Sequence, residues 1–387
     1  MDDAMQEASI AQSRKIHLER VPFANTLRGI AALSVIVSHY TGVFWDRRDA
    51  VASLIHVPEL PLSKYAFPVY LSWLHAAMPR FDWGAFGVAL FFLISGFVIP
   101  FSLRNATWQG FLVGRFFRIV PLYMVGFTVT LLAIWLAGLY FGVPWPFSSI
   151  EVAIHYLPVL REFFGMPSID GIVWTLEIEI KFYLICALCI TWFSRRSMWV
   201  FAVPAALAVC EFYLVHNGYG ALAILPAPFL IFMFIGVVFH YLHVGALTSE
   251  QGLFLGSAIF LVFAILLEMA MPGIVAMAWT YGFAVVVFSF ASSFPALFRH
   301  SRIGDFFSRI SYPLYVIHGV AGYVALRVLL ELGAKAWLSL IVVTGGAIVL
   351  AWTLHVWVES PSHRMGKRLA GSLPWLRVAE PVPAAAE

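Results

Sequence analysis

Long apolar runs, broken by short polar stretches, constrain this chain more than any other feature. Wound as an α-helix, about 20 apolar residues match the hydrocarbon thickness of a bilayer. Ten such runs occur, at approximately 27–44, 84–102, 118–140, 173–193, 198–215, 222–241, 252–271, 274–293, 311–331 and 337–358. Backbone in lipid has to satisfy its hydrogen bonds within the segment. The expected fold is therefore all-α and polytopic, with about ten transmembrane helices. Composition agrees: 61% of residues are hydrophobic, 12% are charged and the mean hydropathy is +0.86, which excludes an ordinary soluble domain. A net charge of +3 gives no sign of a nucleic-acid partner.

The chain divides into a polar N-terminus over 1–24, a membrane-embedded domain over 25–360 and a tail over 361–387. The first apolar run lacks a small-residue cleavage site behind a short core, so it reads as a retained helix and not a signal peptide. The tail ends in Pro and Ala without apolar periodicity and is expected to be disordered. With the N-terminus inside, 16 Lys and Arg fall on inner segments, among them Arg28, Arg104, Arg115, Arg118, Arg196, Arg302, Arg309 and Lys367, against six outside. That bias sets an N-in, C-in orientation with both termini cytoplasmic. Two long outer stretches, Trp45 to Trp83 and Phe141 to Ile172, are rich in Pro and aromatics, and loops of that length tend to build or cover a site. The halves show no internal repeat, which weakens a transporter built from inverted repeats. Cys186, Cys189 and Cys210 lie in apolar runs and read as small buried side chains, not as a metal set.

Within the first run, Arg28 and His39 are eleven residues apart. On a helix this puts them on one side, about 16 Å apart in depth. Ionisable groups inside a membrane mark functional sites. His39 lies near the outer end of its run, and Glu179, entering from the outer end of the fourth, arrives at matching depth. An imidazole held by a carboxylate is a general base. Glu177 and Lys181 are i,i+4 in the favourable order and are expected to neutralise each other, leaving Glu179 without a local partner. Arg115 and Arg118 share a face at the inner mouth of the third run; with Arg28 they form a cationic cluster suited to phosphate, or alternatively anchor the chain to anionic lipid. Ser95 and Gly96 permit a close helix crossing. His318, about 10 Å into the ninth run, lines the same channel or is a satisfied core histidine. His240 and His243 are expected at the interface.

These residues together resemble the acyltransferase 3 family of membrane-embedded O-acyltransferases, along nearly the whole chain from Asn25 to Glu359. The family's Arg-x10-His matches Arg28 and His39, its Phe-Phe-x-x-Ser-Gly-Phe matches Phe91 to Phe97, and its Arg-x-x-Arg matches Arg115 and Arg118. Its Trp-Ser-Leu-x-x-Glu-x-x-Phe-Tyr resembles Trp174 to Tyr183, which puts the motif glutamate on Glu179; Ile180 and Lys181 depart from the family's usual Glu and Gln. Ser311 to His318 and Glu359 to Pro361 match the two remaining motifs.

The resemblance implies an acyl-CoA donor, acetyl-CoA by family frequency, and a hydroxyl acceptor on a surface polysaccharide or lipid-linked sugar. It implies a multi-pass protein of the bacterial inner membrane that modifies the cell envelope by O-acetylation and needs no metal. On this reading Arg28, Arg115 and Arg118 hold the phosphates, and Ser95, Tyr183 and His318 line the channel. His39, supported by Glu179, deprotonates the acceptor, by direct transfer or through an acyl-histidine. Homo-oligomerisation is left open. The rival is a flippase or exporter of a lipid-linked saccharide whose charges line the path; an inactive scaffold would not need every motif residue.

Overall fold

The computed structural model describes residues 21–76, 81–104, 106–218, 227–271, 275–298 and 301–372. Among them all regular structure is helical. Pro22, whose ring suits a first helical turn, opens α1 (Pro22–Ser38), and a π-helical turn over His39–Val43 carries the helix on to Asp46. Asp82 caps α2 (Trp83–Leu103) by accepting from the Gly84 and Ala85 N–H groups at 2.8 and 3.0 Å. Thr107 caps α3 (Trp108–Phe141), which stops at Gly142 in the left-handed region, φ 70°, where glycine carries no Cβ penalty. The remaining principal helices are α4 (Val173–Leu188), α5 (Ala202–His216), α6 (Ala227–His243), α7 (Ser249–Ala270), α8 (Val275–Ser293), α9 (Arg302–Ile317), α10 (Val320–Glu331), α11 (Ala336–Leu354) and α12 (Ser360–Ser372).

Several expectations change. Among the described residues six helices are each long and apolar enough to cross a bilayer, and a bent pair makes a seventh if it is one span; α6 and α8 are apolar but shorter. The expected count of ten is thus not matched. α4 is 16 residues long and carries Glu177, Glu179 and Lys181, so polar side chains interrupt what reads as an apolar run. The run at 311–331 is not one straight span: α9 and α10 meet at 73°, the break falling at His318 and Gly319. A Cβ on Gly319 would press against Ile172 at 3.2 Å, so the turn depends on glycine's small size. α3, at 34 residues, starts ten residues before its expected 118. Its length of about 51 Å exceeds a bilayer core of about 30 Å, so its first turns, with Arg115 and Arg118, lie at the membrane's edge. At the termini, helix begins at Pro22 inside the polar segment assigned to 1–24. The region after 360 is helical through Ser372 and not disordered, because Gly366 lets α12 pack onto Phe117 of α3; residues 373–387 and 1–20 lie outside the described residues.

α1 lies between α2 and α9, and α2 also packs on α6. The α2–α6 crossing depends on two glycines: a Cβ on Gly96 would overlap the Met233 carbonyl, and one on Gly236 the Leu93 carbonyl. This is the small-residue packing by which membrane helices approach closely. His240 is in this core, 3% exposed and bonded to the Phe97 carbonyl at 3.1 Å, where an interfacial position was expected.

The stretch after α1 folds back as a helix over Arg48–Ile55. The Arg48 guanidinium, 8% exposed, donates to the Trp45 and Leu60 carbonyls at 2.9 and 3.1 Å. Its far end is tied to α10: Tyr65 donates to the Leu330 carbonyl at 2.9 Å, and Glu331 bonds both Lys64 at 3.2 Å and Arg327 at 2.6 Å. The stretch between α3 and α4 has short helices over Ser149–His155 and Leu160–Phe163. From the second, Arg161 takes Glu177, and Glu162 takes Lys181 at 2.5 Å. Glu177 and Lys181 therefore do not pair with each other; two loop side chains, distant in sequence, fold back and outcompete the local pair.

Gly236→Leu should lower the unfolding temperature of the purified protein by an amount equivalent to about 1–3 kcal/mol of overpacking. Gly114→Leu, where a Cβ meets nothing within 4 Å, should leave it unchanged; fluorescence-detected thermal unfolding in detergent reads both.

Candidate active site

α1, α2, α3, α4 and α9, with the helical turn before α12, enclose a cavity of about 1170 Å³, slightly above the usual range of ligand sites of about 300–1,000 Å³. Arg28, Ser95, Arg118, Glu179, Tyr183 and Glu359 line it. Its walls also include Arg104, Arg196, Arg302, Arg309 and Lys367, all assigned by sequence to the inner, basic side.

Glu179 is one of three carboxylates among these cations, with Asp305 and Glu359. It accepts from Ser95 of α2 at 2.9 Å and from the Tyr183 hydroxyl, one turn further along α4. Its carboxylate attracts Arg28, Arg115 and Arg118, and Glu359 attracts Arg28 and Arg118. Guanidinium groups at low dielectric need such compensation. The three arginines do not act alike, however. Arg28 and Arg118 face the cavity, whereas Arg115 is absent from its lining; its guanidinium lies over the Phe111 and Tyr183 rings at 5.0 and 5.1 Å and donates to Ser102 at 2.5 Å. Arg115 thereby braces Tyr183.

At the far wall, Tyr315 meets Phe91 with ring centroids 5.7 Å apart and shares a 2.6 Å hydrogen bond with Thr175. Tyr315 borders His318, which like His39 is not itself a lining residue: the two rings are 5.5 Å apart. His318 is fully buried, and its Nδ1 is 2.7 Å from the Tyr315 carbonyl and 3.2 Å from that of Leu314. Carbonyls only accept, so Nδ1 carries the hydrogen and Nε2 is a bare lone pair. Among the described residues that Nε2 has no hydrogen-bond partner, a condition rare enough in folded proteins to need a reason. His318 also meets the His39 ring edge-on, centroids 4.7 Å apart, and its carbonyl accepts from Tyr40 at 2.9 Å.

The expected contact between His39 and Glu179 is not made. His39 Nδ1 is 2.5 Å from the Tyr323 hydroxyl, while Glu179 is held by Ser95, Tyr183 and the arginines. Equal depth on two helices does not fix which way each side chain turns. The π-helical turn starting at His39, a feature frequent at functional sites, reorients that ring, and the stronger charges nearby hold the carboxylate elsewhere. Sequence reasoning also missed Tyr315 and Tyr323. Tyr315 sits inside the Ser311–His318 motif and was open to notice. Tyr323 carries no such signal, because only the bend at Gly319 brings it to His39.

Among the described residues no group of three or more His, Cys, Asp or Glu side chains is arranged to hold a metal ion. A family model described as an acyltransferase domain matches residues 21–356, from α1 into the turn after α11. A relative, Nodulation protein 10 of Rhizobium leguminosarum bv. viciae, is 31% identical over 135 residues, 29% of this chain; the match spans 37% of that protein's length. No solved structure matches. With the family match running through α1, α2, α3, α4 and α9, this polytopic membrane protein belongs to the acyltransferase 3 family.

Proposed function

We propose that this protein moves an acetyl group from acetyl-CoA to a hydroxyl of a saccharide, either a surface polysaccharide or a lipid-linked sugar, in the inner membrane of a bacterium. One observation supports the reading above the rest: a cavity rich in cations ends beside two adjacent imidazoles, one of which has a bare, buried nitrogen. The charge bias of the loops supports a cationic mouth facing the cytoplasm, where acyl-CoA is available, with the histidines toward the opposite face.

On this reading Arg28 and Arg118, with the arginines and lysine nearer the mouth, bind the phosphates through charge-assisted hydrogen bonds. Glu179 keeps the two deep guanidinium groups in place while no donor is bound. The pantetheine arm runs between Phe91 and Thr175, and the thioester reaches the histidines once the Tyr315 ring swings aside. His39 Nε2 takes the proton of the acceptor hydroxyl as its oxygen attacks the thioester carbonyl carbon. The tetrahedral intermediate then breaks its C–S bond; the CoA thiolate leaves and recovers the proton from His39, so the ester and free CoA are the only products. The Nε2 of His318 can only accept, and it takes the hydrogen bond of a second hydroxyl of the saccharide, which leaves the attacking hydroxyl's proton to His39.

His39→Ala should abolish thiol release from acetyl-CoA in native-membrane vesicles while the protein still inserts. Normal release from that variant would refute the base assignment, and saccharide movement without any thiol release would favour a transporter. Arg118→Gln should raise the KM for acetyl-CoA more than it lowers kcat. Loss of a hydrogen bond to a charged group, about 1.5–3 kcal/mol, corresponds to roughly a 10- to 150-fold change; an unchanged KM would move the phosphates elsewhere.

A further inference from the structure

The general base assigned above needs a group that fixes its ring, and Glu179 is not that group. We infer that Tyr323 is the positioning residue of His39, its phenol oxygen accepting from Nδ1–H so that Nε2 is presented bare to the acceptor. This rests on the reading of His39 as the base.

Three observations carry it. The Tyr323 oxygen is 2.5 Å from His39 Nδ1, and the rings lie nearly parallel, 22° apart with centroids at 5.6 Å. Tyr323 is itself fixed: it is 2% exposed, and its far face stacks on Phe44, 6.1 Å away at 27°. Finally, the fold bends to bring it there. The 73° turn between α9 and α10 sets the His318 ring edge-on to that of His39 and the Tyr323 hydroxyl at its Nδ1, and the π-helical turn after α1 carries the His39 ring.

The proton balance follows from the ring's chemistry. Neutral imidazole has one N–H. If it sits on Nδ1 and points to the phenol oxygen, Nε2 is the acceptor; if the phenol donates instead, Nε2 carries the hydrogen and cannot act as a base. Once Nε2 has taken the acceptor's proton both nitrogens are donors, and the Nδ1–H bond to Tyr323 becomes charge-assisted, strengthening when positive charge develops. A neutral phenol thus takes the place that a carboxylate fills in serine hydrolase triads, without a second formal charge next to the thioester.

Tyr323→Phe keeps the ring and removes the oxygen. The expected result is a kcat for thiol release from acetyl-CoA reduced by roughly 10- to 100-fold, with the KM for acetyl-CoA within about twofold and the unfolding temperature unchanged. Phe44→Leu, which loosens the stack but leaves the oxygen, should lower kcat far less. In a His39→Ala background, adding Tyr323→Phe should cost nothing more. Fluorotyrosine at position 323 preserves the shape and weakens the oxygen as an acceptor, so kcat should fall with each added fluorine; this arm decides the matter if Tyr323→Phe does not insert. A Tyr323→Phe enzyme within twofold of wild type, a loss matched by Phe44→Leu, or a kcat that holds or rises on fluorination would overturn the assignment. Full activity in His39→Ala would instead overturn the base reading beneath it.

Discussion

Charge held at low dielectric has to be matched nearby, and the inner part of this bundle is arranged around one such match. Glu179 attracts Arg28, Arg115 and Arg118, and one of its carboxylate oxygens accepts from Ser95 and Tyr183. Take the carboxylate away and three guanidinium groups repel across a poorly hydrated space. Leave it and they stay where a polyanion can use two of them, since Arg28 and Arg118 reach the cavity while Arg115 is spent on the Phe111 and Tyr183 rings. The same requirement explains why α4, which carries Glu177, Glu179 and Lys181, is fixed from outside by Arg161 and Glu162: each of its charged side chains is answered by another.

The second organising feature is an interruption. A continuous helix over 311–331 would carry Tyr323 away along its axis from His318. Broken at Gly319, the two halves enclose the His39 ring from two directions. The π-helical turn of α1 is a smaller interruption of the same kind. Both cost regular hydrogen bonding in a medium that penalises its loss, and both occur where reacting groups need directions that a straight helix does not offer.

Much of this was legible in the sequence. Apolar runs of membrane length announced an all-helical polytopic chain, and the motifs around Arg28, Phe91, Arg118, Glu179 and His318 pointed to residues that do lie in or beside one cavity. Depth along a helix follows from counting residues; azimuth and partner choice do not. Glu179 was matched with His39 because both sit at one level, yet a carboxylate turns to the strongest nearby charge, and those charges come from α1 and α3. Glu177 and Lys181 were paired because they are neighbours on one helix, yet a loop twenty residues upstream supplied better partners. Length and straightness of the spans were not legible where an apolar run proved short, polar or bent.

The outer loop after α1 is fastened to the last turn of α10 through Tyr65, Lys64 and the Glu331–Arg327 pair, and α10 is the helix that carries Tyr323. That loop and the hydroxyl bonded to His39 are therefore held by the same helix. On the proposed reading of His39, a contact that displaced that loop would reach the ring beside the base through a single helix, which would couple events at the surface to readiness for chemistry.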